Sequence, residues 1–569
     1  MISATVPTAA RTRNAPAGQR QHNVALTHFR LMLVMLLFIG VIAVIGGRLA
    51  LLAAFGETAG AAGAGNGLMP DRGDLVDRNG YPLARTIQAW SIAIHPRKLL
   101  SDPEDLAPKL AQLMPERSEA QYLAMLRSGK SFSYLRRRAM PELVAQVNAL
   151  GEPGIALARE PERLYPQTSL AGAVLGWTDI DGHGVTGMER VLDKQLVAPE
   201  TRGTPIALSI DSRVQASMES ELYAAMNKFQ AIGATGIVLD VNTGEVIALA
   251  SLPTFNPNAP GKATPDARFN KATMGVYELG STFKPITVAT AMDAGVVTSM
   301  SKRYDATQPL QVGRFKISDF HAQKRFLNVP EMLVHSSNIV TARIADEVGP
   351  ARMQGVFRKL GFDSPADIEI EKGHPLWPKF WARTTTMTTA YGHGIAVTPL
   401  HLAAAYAALV NGGVWRPATL LKRGASDAPA GRRIWSEATS RQMRRLLRLV
   451  ATEGTGRKGD APGLRVGGKT GTADKSMAGG YSRSAKVSTF AAAFPMDAPR
   501  FVVIAMLDEP KGTADTYGYA TAAWTAAPVV AKVISRTGPL LGIQPDESKD
   551  MDLSDLKSLL WSPKNTVPE

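Results

Sequence analysis

The sequence predicts a mixed α/β chain of the α+β kind. A mainly antiparallel sheet of about five strands is covered by helices, with a helical subdomain inserted along one side. An elongated mixed α/β module and an N-terminal membrane-spanning helix precede it. Three observations carry this reading. An uncharged apolar run extends from Leu31 to Gly47 and continues past Arg48 to Phe55. Short apolar segments bounded by turn residues cluster in two distant stretches, near 206–250 and 466–507. Between them, from about Ser281 to Gln442, helical patterns dominate.

The chain has 569 residues, room for three or four domains at roughly 150 residues each. With 45% hydrophobic and 20% charged residues, its bulk can bury a core. The formal charge of +14 suits anionic membranes, nucleic acid or acidic polymers without choosing among them. The absence of cysteine excludes disulfides, a thiol nucleophile and zinc held by thiolates.

Residues 1–30 carry Arg11, Arg13, Arg20 and Arg30 and no acid, so the positive-inside rule keeps this tail cytoplasmic and exports the rest of the chain. Residues 31–55 form the anchor, which needs ~20 residues to cross a bilayer, with Arg48 snorkelling to the interface. The competing reading is a secretory signal cleaved in Ala59–Gly65, but the apolar run exceeds the ~7–15 residues of a signal core. Either way the body is exported. Residues 56–68 read as a flexible linker.

From 69 to 204 lies the elongated module, with helical stretches at Asp105–Met114 and Pro141–Leu150 and an Asn79-Gly80 turn. Its Arg72-Gly73-Asp74 triplet reads as a loop fixed by ion pairing at Arg72 rather than an adhesion signal. Residues 205–542 form the main body. Strands are expected at Ile206–Ile210, Gly236–Val241 and Val246–Ala250, then at Val466–Ala473, Thr489–Phe494 and Phe501–Leu507, with a helix over Ala522–Ile534. Residues 543–569 read as a tail, its acidic stretch Asp546–Asp555 solvated.

Three short motifs stand out. Ser281-Thr-Phe-Lys284 is an S-x-x-K; positions three apart share a helix face, so the amine can take the hydroxyl's proton. Ser299–Lys302 and Ser554–Lys557 match too, but only Ser281 has a preceding Gly280, a first-turn Pro285 and an apolar helix body. The bland reading is a capping serine beside a solvated lysine. Ser336-Ser337-Asn338 is the sole S-x-N, at a helix edge, where a second hydroxyl can relay a proton and an amide can bind a peptide. Lys469-Thr470-Gly471-Thr472 is the sole K-[ST]-G, suited to holding a carboxylate on a glycine-opened strand, or simply to a bulged edge strand. Gly463 to Thr470 also fits the phosphate-loop pattern, and Val502–Asp508 mimics its acidic strand. That loop must open a helix, however, and Gly471 with a Gly/Ser-rich stretch comes next instead. Nine histidines without an H-E-x-x-H or a close pair support no metal hydrolase.

In order and separation, Ser281, Ser336 and Lys469 resemble the serine penicillin-recognising family. The words Arg72-Gly73, Asp77-Arg-Asn-Gly80, Leu208-Ser-Ile-Asp211, Tyr277-Glu-Leu-Gly-Ser-Thr-Phe-Lys-Pro285 and Gly467-Gly-Lys-Thr-Gly-Thr472 are similar to those of class B penicillin-binding proteins. The Ser-Thr-Phe-Lys-Pro and Ser-Ser-Asn-Ile words resemble the division-specific, FtsI-like group; Leu279 departs from a frequent Pro. The resemblance implies a penicillin-binding transpeptidase domain on a pedestal, and a D,D-transpeptidase that cross-links peptidoglycan without a cofactor or metal. It implies Ser281 as nucleophile, Lys284 as base, Ser336 as proton relay and Lys469 with Thr470 and Thr472 as carboxylate site. Asn338 would orient the substrate, beside Gly471. Partners implied are peptidoglycan stem peptides, β-lactams, a polytopic glycan polymerase and other division proteins, with no nucleic acid, at the septal inner membrane. An elongation-specific paralogue, a β-lactamase or penicillin sensor, and a catalytically minor division scaffold are the alternatives.

Overall fold

The computed structural model describes residues 17–55, 72–201, 203–477 and 480–561. The expected linker 56–68, the cleavage stretch 59–65, Arg11 and Arg13 lie outside the described residues. The chain divides into two units, Met1–Met69 and Pro70–Glu569. In the first, α1 (Ala17–Phe55) is one continuous helix. Its window His28–Gly47 has a mean hydropathy of 2.6 and no burial, long and apolar enough to cross a membrane.

The second unit begins with β1 (Leu75–Val76) and β2 (Pro82–Ile94), followed by α2 (Pro103–Leu113), α3 (Glu119–Leu126), β3 (Ser133–Ala139), α4 (Pro141–Asn148) and β4 (Ile155–Leu164). β2 pairs antiparallel with β1, β3 and β4. Asp102 and Ser118 cap α2 and α3 with their side chains, and the helices close a small core around Leu110, Tyr122 and Leu135. Arg72 is buried and ion-pairs with Glu189 at 2.7 Å and Asp193 at 2.6 Å, while Arg163 holds the other Glu189 oxygen at 2.7 Å. The Arg-Gly-Asp triplet is therefore a structural anchor.

One strand goes elsewhere than expected. Of Ile206–Ile210 only β5 (Ile206–Ala207) is a strand, and it pairs in parallel with β1. Leu208 N–H donates to Val76 O, and Ser209 N–H to Leu420 O, so the alternating segment ties the first sheet to the main body. Alternation marks a strand but does not name its neighbour.

The main body then runs α5 (Ser212–Lys228), β6 (Gly233–Asp240), β7 (Val246–Leu252), α6 (Lys284–Asp293), α7 (Val329–His335), α8 (Asn338–Val348), α9 (Pro399–Val410), α10 (Glu437–Glu453), β8 (Gly467–Met477), β9 (Gly480–Phe494), β10 (Phe501–Asp508), α11 (Ala526–Thr537) and α12 (Ser554–Ser558). The five-stranded sheet has the order β8-β9-β10-β6-β7, antiparallel throughout. Every residue of β6, β7 and β10 is buried, because both faces are covered and the strands read as unbroken apolar runs. One face packs against α5 and α11 through Met218, Leu222, Val530 and Ile534. The other packs against the helical layer that includes α6, α9 and α10.

The acidic stretch 546–555 is not a solvated tail. Leu553 and Leu556 are buried, Asp550 pairs with Arg448 at 2.6 Å, and Asp555 pairs with Arg445. Farther on, Leu559 O accepts from Asn328 Nδ2 at 2.8 Å, and Trp561 N–H donates to Glu331 at 2.9 Å. Two of its acids answer arginines of α10, while Leu553, with Leu556 just beyond, enters the core. The acid-rich composition hides that apolar spacing.

Candidate active site

Ser281 sits in a single 3-10 turn, Gly280–Phe283, that leads directly into α6 with Pro285 in its first turn. Gly280 has φ +56°, and its N–H donates to Gly392 O. A Cβ on Gly392 would stand 2.3 Å from Gly280 O, so a glycine is required at that contact. Around the serine everything is fixed. Phe283 is buried against Phe357 and Phe362, and Thr282 O accepts from the Tyr406 hydroxyl at 2.9 Å. Ser281 itself is half-buried, and among the described residues nothing hydrogen-bonds its hydroxyl.

Ser336 is the joint between α7 and α8, in the left-handed region at φ +61°. Ser337 caps α8 and donates to Asp319 at 2.7 Å, while Asp319 also accepts the Ile339 N–H at 2.9 Å. At the other end of α7, Asn328 and Glu331 form a reciprocal capping box. The strained joint is thus held from both helices.

Both lysines converge on that joint. Lys284 Nζ donates to the carbonyl of Ser336 and, at 3.0 Å, to its Oγ. Lys469 Nζ donates to the same Oγ at 3.0 Å and to Thr470 O at 2.9 Å. Both lysines are fully buried, and burial disfavours the charged form. Burial first and the neighbouring Lys469 second hold Lys284 well below the ordinary lysine range, with Asp319 pulling the other way. Burial brings Lys469 from 10.5 down to about 7. With two amines on its lone pairs, the Ser336 hydroxyl keeps its own proton free to donate. A neutral Lys284 with both N–H groups on Ser336 keeps a lone pair for a further proton.

Lys469, Thr470, Gly471 and Thr472 lie on the edge strand β8, so the phosphate-loop reading fails: the strand continues to Met477 and no helix opens there. A Cβ on Gly471 would meet Leu279 O at 2.3 Å and Thr282 Cγ2 at 2.8 Å, and this is how the edge strand reaches the serine turn. Thr470 Oγ1 shares a hydrogen bond with Thr455 Oγ1, and Thr472 Oγ1 accepts from Ala522 N–H. Asn338 is half-exposed with Nδ2 on Ser318 O, and among the described residues no hydrogen bond links it to either lysine.

Sequence reasoning passed over Asp319, Thr455 and a cluster of Glu278, His393 and Tyr481. For Asp319 and Thr455 no local signal existed. Glu278, an acid three residues before the candidate nucleophile, was visible as one.

Known proteins share this architecture. Residues 234–534 match the penicillin-binding protein transpeptidase domain, and 68–201 match the penicillin-binding protein dimerisation domain. The chain is 40% identical over 528 residues to a probable peptidoglycan D,D-transpeptidase FtsI of Caulobacter vibrioides, covering 91% of this chain and 88% of the relative. It is 28% identical to the peptidoglycan D,D-transpeptidase FtsI of Escherichia coli, covering 84% of each. Among solved structures, penicillin-binding protein 3 of Mycobacterium tuberculosis, complexed with aztreonam, shares the fold with a TM-score of 0.66 at 24% identity, over 85% of this chain and 99% of that one.

Proposed function

The chain belongs to the class B penicillin-binding proteins, as an FtsI-like serine D,D-transpeptidase of peptidoglycan, and from that premise we propose how its own residues carry the reaction. Ser281 Oγ attacks the penultimate D-Ala carbonyl of a donor stem peptide and passes its proton to neutral Lys284. The N–H groups of Ser281 and Thr472 receive the oxyanion. As the C–N bond breaks, the Ser336 hydroxyl hands its proton to the departing D-Ala amine and is refilled from Lys284. A neighbouring stem's amine then displaces Ser281 from the acyl-enzyme.

Lys469, Thr470 and Thr472 bind the donor's terminal carboxylate, and Gly471 admits the peptide backbone. Asn338 orients the peptide; its hydrogen bond to Ser318 O is exposed and open to exchange. The carboxylate does more than anchor. It favours Lys469 as ammonium, and that charge in turn keeps Lys284 neutral. Substrate binding thereby prepares the base. A β-lactam presents a carboxylate and a strained amide to the same groups and acylates Ser281.

The observation that carries this reading is the single Ser336 oxygen receiving both buried amines. Labelling the full chain with a fluorescent penicillin and mapping the modified peptide tests it. Label on Ser281, and none in Ser281→Ala, is the expected result. Label elsewhere, or a folded wild type that takes none, overturns the assignment.

An apolar helix long enough to span a membrane fits a single-pass inner-membrane protein. We propose a cytoplasmic tail over 1–30, an anchor over 31–55, a linker over 56–68, a pedestal over 69–204, a periplasmic transpeptidase domain over 205–542 and a terminal segment over 543–569. The site of action is the division septum, beside a polytopic glycan polymerase.

A further inference from the structure

Near Ser281, on residues that acylation leaves unused, lies a second polar cluster. Glu278 Oε1 accepts from the Tyr481 hydroxyl at 2.9 Å. Its Oε2 is buried without a hydrogen bond, 3.1 Å from His393 Nδ1. The Tyr481 ring stacks on His393 at 4.4 Å, and Tyr391 lies 6.3 Å away, nearly parallel. His393 directly follows Gly392, the residue that touches Gly280 beside the nucleophile. With 39% of its side chain exposed, the imidazole is reachable by a second substrate.

Among the described residues, the titratable groups facing His393 are Glu278, Tyr391 and Tyr481. Burial first and the Glu278 charge second push Tyr391 up to about 12, and the same causes raise Tyr481, so both phenols stay neutral at physiological pH. Glu278 is the acidic side chain placed against the imidazole.

The second half-reaction contains a proton the lysine pair does not handle. By microscopic reversibility, Lys284 and Ser336 return one proton from the attacking nitrogen to Ser281 Oγ as the ester C–O bond breaks. They need a neutral amine as input, whereas an alkyl amine in water near pH 7 is an ammonium ion. We propose that His393, steadied by Glu278, takes that first proton from the acceptor ammonium. The imidazolium forms, the freed nitrogen lone pair makes the new C–N bond, the remaining proton travels through Lys284 to Ser281, and His393 later releases its proton to water. This inference rests on the transpeptidase reading.

The test uses full-length protein in detergent, a fluorescent penicillin for acylation, and a D-Ala thioester donor with either D-alanine or hydroxylamine as acceptor. D-alanine is an ammonium at neutral pH, and hydroxylamine is largely uncharged. His393→Gln is expected to lower transfer to D-alanine about 100-fold relative to acylation, and the loss should shrink to a few-fold with hydroxylamine. Glu278→Gln should give a smaller loss with the same dependence on acceptor, and it carries the test if His393→Gln no longer takes penicillin. Equal losses with both acceptors, or none with either, overturn the proposal. A wild type that penicillin does not label would instead sink the transpeptidase reading.

Discussion

Two of the places where this molecule buries cations treat them in opposite ways. In the first sheet's module, Arg72 and Arg163 are buried with carboxylates, both sharing Glu189, which is itself fully buried. At the serine site, Lys284 and Lys469 are buried with hydroxyl and carbonyl oxygens as their hydrogen-bond partners. The ion pairs on Glu189 hold separate segments in register. Burial lowers the basicity of the unpaired amines, a cost to folding that suits the proposed role of Lys284 as a base. What separates a structural charge from a reactive one here is the partner, with burial common to both.

The largest expected effect sharpens that contrast. Lys284→Met should slow penicillin acylation by about 10⁴-fold, the upper range for loss of a general base, while raising the denaturation midpoint, because an ill-solvated amine is gone. Glu189→Ala should do the reverse. Leaving two buried guanidinium groups uncompensated is expected to destabilise the fold by about 3–5 kcal/mol, read from urea unfolding, with acylation per folded molecule kept. Should Glu189→Ala instead abolish acylation in folded protein, the two regions are not separable.

Gly471→Ala comes next. The added methyl would press on Leu279 O and Thr282 beside Ser281, and a displacement on the order of 1 Å costs about 100-fold. A stopped-flow acylation rate within twofold of wild type would show that the strand and the turn can part freely.

The smallest effect concerns pH. Lys469 falls from 10.5 to about 7 on folding, so between those values the unfolded chain holds a proton that the folded chain lacks. Stability therefore rises with pH across that window, by up to about 1.4 kcal/mol per unit from this group. Below about pH 7 both states bind the proton and the gain is absent. Lys469→Met should remove that increment from the difference between urea unfolding curves at pH 7 and 9. The acylation rate should fall with falling pH as Lys284 gains its proton.

Local signals explain what could be read beforehand. The strands at 489–494 and 501–507 were legible because their apolar runs end at a Pro495–Pro499 turn, and the serine turn because Gly280 and Pro285 bracket it. The convergence of Lys284, Ser336 and Lys469 was legible only through the order of three motifs. Residues without such a motif stayed hidden: Asp319 supports Ser337 from another segment, and His393 meets Glu278 and Tyr481 only after three stretches fold together. Ile206–Ala207 shows the limit of periodicity, since pattern alone did not say which sheet it joins. The stretch 546–555 shows the limit of composition, since acids facing arginines look like acids facing water.

The contacts of Leu559 and Trp561 with Asn328 and Glu331 bear on how the joint at Ser336 is held. Asn328 and Glu331 are the two residues that cap α7, whose far end is Ser336. A segment more than two hundred positions downstream thus clamps the foot of the helix on which that joint turns. A chain cut before Leu559 would keep every motif and lose the clamp.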